Sequence, residues 1–172
     1  MASSSQKYAY DKSNVFAAIL HGDIPYKKIR ETEYSLAFHD VSPLVACHAL
    51  VIPKGFYVNF DHFVGSASVA EQLDFFATVR MVIKDLNLVN ENEIEVERGG
   101  QEDFDGSADG NTDGNTEGNT KGSTGKTSSR NHDGCRLISN IGSDGGQEVP
   151  HFHVHILGGE ILGKMLVKQS VH

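Results

Sequence analysis

The sequence predicts a domain of mixed α and β structure, and three observations carry that reading. Val149 to Gly159 reads Val-Pro-His-Phe-His-Val-His-Ile-Leu-Gly-Gly, a strict alternation of apolar and imidazole side chains. Alternation is the period of a strand, which sends successive side chains to opposite faces. Val69, Leu73, Phe76, Val79, Ile83 and Leu86 recur at helical spacing behind Ser68-Val69-Ala70-Glu71, a capping-box sequence. Short apolar runs bounded by Gly and Pro supply the remaining strands.

The elements follow in chain order. Met1 to Lys12 reads as a loose polar tail, and its first ten residues lack the apolar segment of a secretory signal. Ser13 or Asn14 can cap a short helix through Val15, Phe16, Ile19 and Leu20, closed by Gly22. Tyr26–Glu31, Glu33–Asp40 and Ala46–Pro53 read as strands, the last stopped by Pro53 and Gly55. The helix is predicted over 69–88, with its apolar stripe in the core.

Composition then changes. The stretch at about 91–133 contains a Gly-Asn-Thr-acid repeat and almost no apolar residues, so it is predicted to be a disordered insert within the domain. Its Asp-Gly spacing lacks the terminal Glu of a calcium loop. Gly122-Ser123-Thr124-Gly125-Lys126-Thr127 lacks the upstream Gly of a phosphate loop. Cys135–Asn140 reads as a strand, Ile141–Gln147 as a glycine-bearing loop, and the histidine strand follows. Glu160–His172 has no clean period.

Length and charge bound the function. A chain of 172 residues suits one domain, here 13–172 with its insert. A formal charge of -8 without basic clusters argues against nucleic-acid and membrane surfaces as partners. Cys47 and Cys135 form no motif, which points to a reducing, cytoplasmic setting.

The chemistry lies in the histidine row. Phe152, Val154 and Ile156 are expected to face a core. His151, His153 and His155 then share the other face, about 7 Å apart at neighbouring Cα atoms. Imidazole is nucleophilic and carries protons near neutral pH, so one ring can attack while its neighbours hold it or handle protons. The preceding loop offers Gly145, Gly146 and the Gln147 amide as donors for an anion. Metal binding is the rival reading, since His-x-His on a strand also suits zinc.

His151-Phe152-His153-Val154-His155-Ile156-Leu157 matches the signature of the histidine triad (HIT) family. Phe16 with Ile19-Leu20-His21-Gly22-Asp23-Ile24-Pro25 resembles the family's opening helix and Ile-Pro turn. Leu36-Ala37-Phe38-His39-Asp40-Val41-Ser42-Pro43 and His48-Ala49-Leu50-Val51-Ile52-Pro53-Lys54 resemble two of its strands, and Ser139 to Gln147 its pre-triad loop. The closing Leu157-Gly158-Gly159 resembles the Hint (histidine triad nucleotide-binding) branch.

The resemblance implies an α+β, HIT-like fold with an antiparallel sheet of about five strands, one long and one short helix, and a homodimer. It implies purine nucleotide binding and hydrolysis at the α-phosphorus of nucleoside phosphoramidates or adenylates. The alternatives are a non-catalytic nucleotide-binding regulator and a dinucleoside polyphosphate hydrolase. By position, His153 is the nucleophile and forms a nucleotidyl-histidine. His155 contacts phosphate and moves protons, and His151 and His48 orient the nucleophile through ring nitrogens. Asp40 takes the ribose hydroxyls with Val41 beside it. Phe16 and Phe38 form the base pocket, and Asn140, Gly146, Gln147 and Glu148 surround phosphate and leaving group. No cofactor is implied. Many relatives carry a Cys-x-x-Cys zinc pair where this chain has Asn14 and Ala17, so no structural zinc is expected. Glu148 stands where some relatives have Ser, and Glu160 where Arg is common.

Overall fold

A five-stranded antiparallel sheet forms the centre of the computed structural model, which describes residues 8–89 and 133–165. The low-complexity stretch, with its calcium-loop and phosphate-loop look-alikes, lies outside the described residues save for its end at Asp133. The last residues of the tail lie outside them too.

Helix α1 (Val15–His21) starts because the Asn14 side chain accepts from the N–H groups of Phe16 and Ala17, each at 3.0 Å. It stops at Gly22, whose φ of 93° belongs to the left-handed region. Strands β1 (Lys28–Glu31), β2 (Ser35–His39) and β3 (Cys47–Pro53) follow as a meander. Then come α2 (Phe60–Ser66), α3 (Val69–Asp85), β4 (Cys135–Ile138) and β5 (Val154–Gly158). The strand order is β1-β2-β3-β5-β4, with every neighbouring pair antiparallel.

Register decides which side chains meet. Phe38 pairs with Leu50, Leu50 with His155, and His155 with Ile138, a row across four strands on one face. Leu36, Phe38, Leu50 and Ile52 bury this face against Phe16 and Ile19 of α1. On the other face, Ala37, Ala49, Val51, Val154 and Ile156 pack against Phe63 of α2 and Phe75, Val79 and Val82 of α3. The two alanines leave room for the helices. Phe152 stacks on Phe63 with ring centroids 4.8 Å apart and closes that core.

Several expectations need correction. Helix α2 is an element beyond the one long and one short helix expected; Asn59 caps it by accepting from His62 N–H, and Asp61 sits in its first turn. The expected capping box is present, with Glu71 N–H donating to Ser68 Oγ and Ser68 N–H to Glu71 Oε2. Helix α3 nevertheless ends at Asp85 rather than Leu88, because Asn87 takes a φ of 52° and turns the chain. Its buried stripe is Phe75, Thr78, Val79 and Val82. Val69, Leu73 and Phe76, expected in the core, are 72%, 67% and 50% exposed. The helix is apolar on two faces, and only one meets the sheet.

The histidine strand is also shorter than expected. Pro150 has no N–H for a ladder, and Phe152 N–H donates to Tyr57 O at 2.6 Å instead of to a strand. Regular pairing therefore begins at Val154. The face assignment survives, with Phe152, Val154 and Ile156 in one core. Tyr8 and Tyr10, placed by sequence in a loose tail, are both packed on the body. Tyr8 stacks on His62 and its hydroxyl donates to Asp61, while Tyr10 meets Phe56 and His151.

Candidate active site

The row Phe38, Leu50, His155, Ile138 floors a cavity of about 620 Å³. Its apolar wall comes from Phe16 and Ile19 of α1 and from Ile24 and Tyr26 of the turn after it. Phe16 meets Phe38 edge to face at 5.9 Å, so these rings serve the core and the cavity wall together. Asp40, Val41 and Ser42 after β2, and Asn140, Gly146 and Glu148 from the segment before β5, also line it. His48, His153 and His155 complete the lining.

The hydrogen-bond partners fix the protons. The ring of His153 is 5% exposed, and its Nδ1 lies 2.7 Å from the carbonyl of His151. A carbonyl only accepts, so Nδ1 carries the hydrogen and Nε2 keeps its lone pair. Leu44 N–H donates to His48 Nδ1 at 3.3 Å, so the hydrogen of His48 sits on Nε2. That nitrogen faces His155 Nδ1 at 2.9 Å. His155 therefore accepts at Nδ1 and carries its own hydrogen on Nε2. The rings of His153 and His155 cross edge to face with centroids 4.9 Å apart. One cavity thus holds an imidazole lone pair and, on the next ring, an imidazole N–H.

Burial lowers all three triad imidazoles. Burial is the main cause for His153, opposed by the His151 carbonyl. Burial, aided by His153 and His48, takes His155 to about 4. His151 is also held at about 4 by burial. All three are neutral near pH 7, the state in which the lone pair of His153 is free.

Asp40 has two partners: Oδ1 accepts from Ser42 N–H at 2.8 Å, and Oδ2 lies 3.4 Å from His48 Nε2. Donor atoms of Asp40, His48 and His155 fall within 4.8 Å of one another, a spacing that suits a metal ion. The His48–His155 hydrogen bond uses two of the same nitrogens, so an ion there must displace the shared hydrogen.

Three site residues take different places from those expected: His48, expected to orient the nucleophile His153, bonds His155 instead through its Nε2. His151 is wholly buried, and its ring nitrogens bond Tyr10 and Pro53; it reaches His153 through its carbonyl, not its ring. Gln147 does not line the cavity. Its Nε2 donates to Val58 O and Val149 O, and its Oε1 accepts from Gly142 N–H. The glycine loop also differs from an anion nest. The N–H groups of Gly146 and Gln147 donate within the turn to Ser143 O and Gly142 O. A Cβ on Gly145 would lie 2.5 Å from Ile141 O, so this glycine serves backbone packing.

Sequence reasoning missed other contributors. Leu44 fixes the His48 tautomer through a backbone N–H, which no side-chain pattern reveals. Ser139 Oγ donates to His153 O at 2.9 Å, and Glu160 accepts from Ala46 N–H at 3.0 Å before β3. Tyr10 could have been noticed as an aromatic residue in an otherwise polar segment.

The family model described as HIT domain matches residues 21–161, which hold the whole sheet and the histidine row. The chain belongs to the HIT family. It is 39% identical over 159 residues to an uncharacterized 13.2 kDa HIT-like protein of Azospirillum brasilense, covering 92% of this chain and 96% of that one. Among solved structures, a HIT family hydrolase from Clostridium thermocellum superposes with a TM-score of 0.58 at 24% identity, covering 91% of this chain and 99% of that one. A histidine triad nucleotide-binding protein from Candida albicans gives 0.56 at 21% identity, covering 93% and 87%. Both share the HIT fold of this chain.

Proposed function

We propose that the protein is a purine-nucleotide-binding hydrolase that cleaves nucleoside phosphoramidates or adenylates through a nucleotidyl-histidine. The observation that carries this is the proton arrangement: a lone pair on His153 Nε2 beside a hydrogen on His155 Nε2. The names of the two structural neighbours, a hydrolase and a nucleotide-binding protein, point the same way.

In this reading His153 Nε2 attacks the α-phosphorus and the P–N bond to the leaving amine breaks. His155 gives its Nε2 hydrogen to that amine. Water then attacks the phosphorus, the bond to His153 breaks, and His155 takes the water's proton. The products are a nucleoside monophosphate and an amine. Phe16 and Phe38 hold the base, Asp40 the ribose hydroxyls beside Val41, and Asn140 and Gly146 the phosphate. His48 sets the tautomer of His155. His151 and Gln147 hold the site's backbone. None of these steps calls on a cofactor.

Charge favours a phosphoramidate over a polyphosphate. Among the described residues lining the cavity, the formal charges are Asp40 and Glu148, both acidic, with no Lys or Arg. A leaving polyphosphate adds several negative charges with no cation to meet them, whereas an amine adds none. We extend the reading to a homodimer using the exposed face of α3, in a cytoplasmic setting. We also assign 91–133 as an insert in the one domain. Gly134 N–H donates to Leu88 O at 2.7 Å, so the chain leaves and re-enters at one place. The entropy of closing a connection grows only slowly with its length.

The test is to incubate the chain with an adenosine phosphoramidate, quench in acid, and search by mass spectrometry for a nucleotidyl adduct. The expected result is an adduct on His153 in the unmutated chain and none in His153→Ala, with nucleotide affinity kept. Turnover without an adduct would overturn the covalent route. Because Asp40, His48 and His155 can also hold an ion, a second arm adds a chelator; loss of activity there would favour the metal reading.

A further inference from the structure

We propose that Tyr10 is a positioning residue for the nucleophile, acting through the ring and carbonyl of His151. The proposal rests on the nucleotidyl-histidine reading above. A fully buried imidazole must satisfy both ring nitrogens. His151 is 0% exposed. Its Nε2 lies 2.9 Å from Pro53 O, so Nε2 carries the hydrogen. Its Nδ1 then has only a lone pair to offer, and the Tyr10 hydroxyl meets it at 2.5 Å. The phenol is pushed up by burial and stays protonated, as a donor must.

The donor is itself held. The Tyr10 ring packs on Phe56 at 4.9 Å and meets His151 edge-on at 5.5 Å. Two residues earlier, Tyr8 stacks on His62 at 5.0 Å. On the other side, Asp11 O accepts from Asn14 Nδ2 at 2.6 Å, which ties the segment to the cap of α1. From α1, Phe16 meets the rings of both His151 and His153 edge-on, at 6.0 and 5.1 Å. The segment before α1 therefore supports His151 at a point that no other described element reaches with a hydrogen-bond donor.

The link to chemistry is one residue long. The carbonyl of His151 accepts from His153 Nδ1–H at 2.7 Å, and that bond keeps the lone pair on Nε2. Pro53 O fixes the tautomer of the His151 ring, the Tyr10 hydroxyl holds its plane, and the carbonyl of His151 fixes His153. Without the hydroxyl, His151 Nδ1 becomes a buried acceptor with no donor. The other tautomer gives no relief, because it would set the Nε2 lone pair against Pro53 O. The ring must shift, and the carbonyl under His153 shifts with it.

Tyr10→Phe in the full chain tests this, since it keeps the aromatic packing and removes one oxygen. The expected result is a fall in kcat of about tenfold on an adenosine phosphoramidate, with KM within about twofold and slower adduct formation on His153. ¹⁵N-histidine NMR gives a readout independent of turnover: the His151 Nδ1 resonance should lose its hydrogen-bonded position and the His153 resonances should move with it. A variant with lower thermal stability but unchanged kcat would make Tyr10 merely structural and overturn the proposal. If the unmutated chain hydrolyses nothing, the hydrolase reading fails. The NMR arm then decides on Tyr10 alone, with movement of His153 supporting the link and unchanged His153 resonances overturning it.

Discussion

His48 gives its Nε2 hydrogen to His155 Nδ1 across 2.9 Å, and this bond settles which nitrogen of His155 can protonate a leaving group. The His48 ring is 4% exposed and is held from behind by Leu44 N–H, so it cannot turn freely. His155→Ala is expected to slow release of an alkylamine by about 10²–10⁴-fold, the usual range for a positioned general acid. Loss should be much smaller for a nitrophenolate, which departs without a proton. His48→Ala should show the same pattern at reduced size. Steady-state kinetics across the two leaving groups checks this; equal losses for both would remove the proton-donor role.

The buried imidazoles also make stability depend on pH. His151 and His155 stay neutral down to about 4 in the folded chain, and His153 is shifted in the same direction. In the unfolded chain each takes a proton near 6.5. Between these values the unfolded state binds more protons, so stability rises with pH across this window and is fully present above about 6.5. For His151 alone the loss on acidification is on the order of 3 kcal/mol. Urea unfolding at pH 7.5 and pH 5 should show a clearly lower midpoint at pH 5. An unchanged midpoint would mean that the three rings are not held neutral.

Much of this arrangement was legible in the sequence because it follows from period and caps. Alternation at 152, 154 and 156 assigned the two faces of β5 correctly, and Asn14, Gly22 and the Ser68–Glu71 box marked real helix ends. The row Phe38, Leu50, His155 depends on register, which no single segment states. The tautomers depend on partners that are backbone groups: Leu44 N–H, His151 O and Pro53 O. Gln147 was misplaced for a related reason. An amide in a loop beside a proposed phosphate site looks like a ligand, yet its partners are carbonyls at Val58 and Val149. Helix α3 misled by having apolar residues on two faces, since periodicity locates a stripe without saying what covers it.

Glu148 faces the same cavity as His153 and is a solvent-exposed carboxylate. Its charge acts on the leaving group at a distance, so the effect is modest and weakened by salt. Glu148→Gln is expected to raise kcat/KM for a dinucleoside polyphosphate roughly fivefold at low ionic strength. It should lower kcat/KM for a phosphoramidate whose leaving amine bears a cationic side group, and leave one without such a group unaffected. The measurement is the ratio of the three at 20 and 300 mM salt. A ratio indifferent to both the substitution and the salt would remove Glu148 from substrate choice.

The outer face of α3 bears on assembly. Val69, Leu73 and Phe76 lie on one side of the helix, turned from the sheet, and each leaves half or more of its surface in water. Together these three large apolar groups make an exposed patch, and a two-fold dimer through this face would set the patch against itself. Phe76→Glu then sets a carboxylate in the middle of that apolar patch in each copy, while the buried stripe Phe75, Val79 and Val82 is untouched. The expected outcome is a dimer in the unmutated chain and a folded monomer in the variant, read by sedimentation equilibrium together with circular dichroism. Equal masses for the two would show that this face is not the contact. A monomer that had also lost its helix signal would show that Phe76 supports the fold, in which case Leu73→Glu, on the more exposed turn, separates the two effects.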